Sequence, residues 1–161
     1  PEGQVEEIVA QGGNALLIGD RALKMAKSYA GGVIYDLGDL WYRYTGLPFV
    51  FALWILRREA AREKALQVHD LLTQLHLSQQ RAFHDLVGLA RSVPERNWMT
   101  EAGLVTYWQA MSYGLDQELI RGLELFFRLC QKQNLLPDVP ELNFFSTAAE
   151  QRTLAGSFAA R

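Results

Sequence analysis

The sequence predicts an α/β fold on three observations. Three short apolar runs in the first third carry the β-branched and aromatic residues of buried strands. A long stretch after residue 58 repeats its apolar residues every three or four positions, as helices do. Glycine and proline mark the boundaries between these segments. The order is segregated, with three strands first and four helices after them. Three strands without further partners make a marginal sheet, so the order also predicts that a complementary N-terminal part belongs to the fold.

The first strand is expected over residues 14–18, ending in the turn at Gly19 and Asp20. Asp20 then stands where a helix N-cap belongs, ahead of residues 21–27, because its carboxylate can accept from free N–H groups of the first turn. Gly31 and Gly32 are expected to end that helix. Val33, Ile34 and Tyr35 form the second strand. Asp36 or Asp39 caps a short helix through Leu40, Trp41 and Tyr42, which Gly46 and Pro48 stop. Residues 49–56 are the strongest strand signal. They are apolar throughout rather than alternating, which describes a strand covered on both faces.

From Glu59 to about Gln133 the chain reads as helical. Ala61, Ala65, Val68, Leu72 and Leu75 share one stripe. A further helix spans about 81–91 and ends near Pro94. Asn97 or Thr100 caps the next, with Leu104, Trp108 and Met111 facing inward. Asp116 caps the last, where Leu119, Leu123, Phe126, Phe127 and Cys130 repeat at helical spacing. The tail over 146–161, rich in Ala, Ser and Thr, is expected to be disordered.

Composition removes several function classes. With 16 basic and 18 acidic residues, the formal charge of −2 supplies no electrostatic case for nucleic acid or for an anionic membrane surface. The longest apolar run, 49–56, is far short of the roughly 20 residues of a membrane-spanning helix. The single cysteine, Cys130, cannot form an intrachain disulfide and reads as a buried structural thiol. His69, His76 and His84 are spaced by seven and eight residues, not by the single turn of a helical zinc pair, so they read as surface or boundary residues. No phosphate-binding glycine loop and no nucleophile elbow is present. The cluster from Trp41 to Tyr44 reads as packing rather than as a ligand platform. The chain starts at Pro1, without a methionine, which is expected of a piece of something longer.

Two segments stay open between a structural and a functional reading. Leu17, Ile18, Gly19, Asp20 and Arg21 place a glycine and a charged pair just past a strand's C-terminal end, where α/β sheets bind ligands. Residues 45–51 are either a helix stop with a buried strand or a hinge strand whose start faces a cleft.

These segments, in this order, resemble the menaquinone-biosynthesis family of the futalosine pathway. The resemblance runs through residues 15–23, then Tyr35, Asp36, Leu37 and Gly38 with Trp41, then residues 45–52 with Trp54. It continues over 101–107, 113–115 and 122–126, and covers most of 14–136. Within the family it is nearer to the chorismate dehydratases. The sister 1,4-dihydroxy-6-naphthoate synthases typically carry a histidine–glutamate pair where this chain has Gly19 and Asp20.

The resemblance implies a type II periplasmic-binding-protein-like fold of two lobes, of which this chain is the C-terminal half. Residues 1–47 would then be the end of the second lobe and the crossover. Residues 48–145 would be the hinge strand and the C-terminal helices of the first lobe. It implies dehydration of chorismate to 3-[(1-carboxyvinyl)oxy]benzoate in the cytoplasm, with no metal or organic cofactor. Ile18, Gly19, Asp20, Phe49 and Phe51 would line the substrate cleft. Family members are much longer, and their first half carries an asparagine in a Pro-Tyr-Leu-Asn type turn together with serine and threonine donors. No catalytic base is therefore assignable here, and the chain alone is expected to be inactive. A transporter's solute-binding protein of the same fold stays open as an alternative. So does a structural role, in which a sheet edge left by the missing half pairs with a second copy to give a homodimer.

Overall fold

A computed structural model describes residues 4–29 and 32–146. Its elements are eight α-helices and a 3₁₀ turn, with no β-strand among the described residues. The helices are α1 (Val5–Ala10), α2 (Gly19–Ser28), α3 (Leu37–Thr45), α4 (Arg58–Glu63), α5 (Ala65–His84), α6 (Leu86–Ser92), α7 (Glu101–Ala110) and α8 (Gln117–Lys132); the 3₁₀ turn is Pro94–Asn97. The chain divides into two compact units, Pro1–Gly46 and Leu47–Arg161.

The absence of strands overturns the expected α/β, two-lobed periplasmic-binding-protein-like class. All three runs read as strands are non-helical, yet none is hydrogen-bonded into a sheet. Their side chains are outside rather than covered: Leu16, Ile18, Val33, Tyr35, Phe51, Trp54 and Ile55 are all exposed. The physical reason is that a strand is defined by its neighbour. Apolar β-branched residues favour an extended backbone locally, but the ladder needs a second strand alongside. The described residues supply none.

In the first unit, α3 follows its sequence signals closely. Asp36 Oδ1 accepts from the Asp39 N–H at 3.0 Å, which settles the choice of cap. Asp39 in turn pairs with Arg43 at 2.9 Å, one turn on. The helix ends on Gly46, whose φ of 70° is the left-handed conformation that glycine adopts without a Cβ penalty. The expected stop at Gly31 lies outside the described residues. The preceding helix α2 already ends at Ser28.

In the second unit the expected long helix breaks at Lys64, whose φ of −124° and ψ of 30° leave the helical region. The stripe from Ala61 to Leu75 is thereby split between α4 and α5. Helix α5 has 20 residues and none of them is buried. The next helix does not start near residue 81. Asp85 interrupts the chain and caps α6, accepting from the Gly88 N–H at 2.8 Å. Val93 before Pro94 is extended, as the proline ring requires of its predecessor.

The core of this unit lies where α6, the 3₁₀ turn and α7 meet. Leu86, Ala90, Met99 and Leu104 are its buried side chains, and Leu123 of α8 is the fifth buried hydrophobic residue of the described chain. Polar contacts fasten its rim. Thr100 caps α7 by accepting from the Gly103 N–H at 3.1 Å. Arg91 Nε reaches Glu101 at 3.2 Å, and Arg96 Nη1 donates to the Arg91 carbonyl at 2.7 Å, satisfying an acceptor at the end of α6.

Helix α8 is the most strongly specified. Asp116 Oδ1 accepts from the Leu119 N–H at 2.9 Å. Arg121 pairs with Glu118 at 3.0 Å on the exposed side. The end is a Schellman motif: Asn134 takes a φ of 58°, its N–H donates to the Gln131 carbonyl, and the Leu135 N–H donates to the Cys130 carbonyl, both at 2.9 Å.

Candidate functional site

Two groups of residues were expected to line a cleft, and they fall in different units. The first is the entry to α2. Residues 13–18 approach it without regular structure, and Ile18 stands at the N-cap with φ −137° and ψ 153°. Gly19 then turns the chain with a φ of 67°, and a Cβ there would meet no neighbour within 4 Å. The requirement for glycine is conformational, not one of crowding. Asp20 lies inside the first turn rather than at the cap, and no side chain caps this helix. Its carboxylate therefore acts on the positive end of the helix through space. Ile18, Gly19 and Asp20 are all exposed, so the three share one accessible helix entrance.

The second group begins at the start of the second unit. Here the chain lies so close to α8 that a Cβ on Gly122 would collide with the Pro48 carbonyl oxygen. That approach seats the Phe49 ring edge-on against Phe126, with centroids 5.3 Å apart and planes at 89°. Phe51 stacks on Phe49 in the same manner at 4.9 Å and 72°. Phe49 is half-buried and held, whereas Phe51 is 73% exposed and presents its ring outward. This group is an apolar platform. It can exclude water and contact a ring or an alkyl group, but it carries no proton donor or acceptor of its own.

Gly122 and Phe126 are the supports that sequence reasoning did not connect to Phe49. One signal was available. A glycine in the middle of an otherwise strong helix costs about 1 kcal/mol relative to alanine, so its presence points to a close neighbour.

Among the described residues the remaining chemical side chains form no constellation. His69, His76 and His84 all lie on α5 and are exposed; His76 Nε2 is 3.0 Å from Gln80 Nε2. A shallow, open depression beside them is lined by Leu77, Gln80, Arg81 and His84, all from this one helix. With a single wall, it cannot surround a substrate. Among the described residues no group of three or more His, Cys, Asp or Glu side chains is placed to hold a metal ion. Cys130 is a half-buried free thiol on α8. No helix of the described residues is long and apolar enough to cross a membrane.

The described residues are thus helical, and among them the two candidate groups stand in separate units with no assembled acid–base site. Its kinship is read from sequence. A family model described as menaquinone biosynthesis matches residues 2–132, and the chain belongs to that family. A chorismate dehydratase from Thermus thermophilus is 40% identical over a match covering 40% of this chain and 29% of that protein. The chain therefore matches less than a third of the length of this curated relative. No solved structure matches it.

Proposed function

We propose that this chain is a portion of an enzyme that dehydrates chorismate to 3-[(1-carboxyvinyl)oxy]benzoate in menaquinone biosynthesis. The observation that carries the reading is the 40% identity to a chorismate dehydratase within a chain that the family model matches over residues 2–132. In this reaction the proton at ring carbon 3 is removed and the hydroxyl at carbon 4 leaves as water. The electron pair of the broken C–H bond completes the aromatic ring. The chemistry needs a base near carbon 3, a donor to the departing hydroxyl, and groups that hold two carboxylates.

The residues of this chain serve as lining in that scheme. Phe49 and Phe51 offer an apolar wall beside the ring and help exclude water. Ile18, Gly19 and Asp20 border the substrate at the start of α2. The base and the donor come from polypeptide that corresponds to the unmatched part of the relative. The chain alone is then inactive, because the cleft that holds chorismate in place for reaction needs the remaining polypeptide as well.

The test incubates chorismate with purified residues 1–161 and, separately, with the longest natural polypeptide that contains them. Product is followed by chromatography and mass. Formation of the enolpyruvyl benzoate by the longer polypeptide alone is the expected result. A well-folded longer polypeptide that makes no product refutes the assignment. Turnover by residues 1–161 refutes the division of labour.

A further inference from the structure

We draw no further inference here: the strongest candidate, the exposed apolar run over residues 51–56 between the Phe49 anchor and α4, carries nothing because nothing in the structure shows what covers it.

Discussion

Replacing Gly122 with alanine sets two effects of opposite sign against each other. Helix propensity alone favours the change by about 1 kcal/mol, since Gly122 lies within α8 with regular turns on both sides. The new methyl group, however, collides with the Pro48 carbonyl oxygen and lies 3.7 Å from the Leu47 Cβ. The oxygen belongs to backbone, and Pro48 is followed directly by Phe49, whose ring is seated on Phe126. Relief therefore requires residues 47–49 to lift from the helix, or α8 to shift against them. Overpacking of this kind costs roughly 1–3 kcal/mol. The net expectation is a loss of up to about 2 kcal/mol, with the larger effect deciding the sign. Urea unfolding followed by circular dichroism at 222 nm measures it as a lower midpoint for Gly122→Ala. A midpoint raised by the amount that propensity alone provides would show that the segment does not press on α8, and the placement of Phe49 would fall with it.

Other consequences are simpler to state. Leu104 is 2% exposed, so Leu104→Ala is expected to cost roughly 2–5 kcal/mol, whereas Leu66→Ala at an 80% exposed site stays within about 0.5 kcal/mol; thermal unfolding compares the two. Asp116→Ala removes the α8 cap and is expected to cost about 1 kcal/mol, with Asp116→Asn recovering most of it in the same melt. Gly46→Ala forces a left-handed backbone on alanine at a cost of roughly 1–2 kcal/mol, and Gly46→Asn is expected to be milder in chemical denaturation. On the proposed function, Phe51→Ala in the longer polypeptide is expected to weaken chorismate turnover at a small cost in stability, about 1 kcal/mol for the lost edge contact with Phe49. That follows because the Phe51 ring is mostly exposed and its removal leaves little cavity; an unaltered kcat/KM would remove Phe51 from the lining.

Three helix starts were legible from a short polar side chain that closes them locally, whereas the same kind of cap at Asp85 was not. Asp36, Thr100 and Asp116 each accept from a backbone N–H three residues on. Gly46 and Pro48 mark the end of α3 by backbone preference, which acts within a few bonds. Asp20 failed as a cap because the chain turned one residue earlier, at Gly19, and so drew the aspartate into the first turn. Lys64 and Asp85 broke helices that the apolar spacing alone ran together. The candidate site residues were nameable from the sequence but their chemistry was not: Asp20 is the one carboxylate among them and it is exposed, while Phe49 and Phe51 carry no ionisable group.

By itself, then, the sequence determined the starts of α3, α7 and α8, the stop of α3 and the family, the helix ends because they depend on residues near one another along the chain. Whether an apolar run becomes a strand was left to the tertiary structure. Residues 49–56 carry every local preference for a buried strand, yet Trp54 and Ile55 stand about nine-tenths exposed at 88% and 92%. Extended backbone is a local choice, but a sheet exists only where a second strand completes its hydrogen bonds. Tertiary packing also decided that Gly122 is needed, since only the arrival of Pro48 from more than seventy residues away along the chain leaves no room for a Cβ.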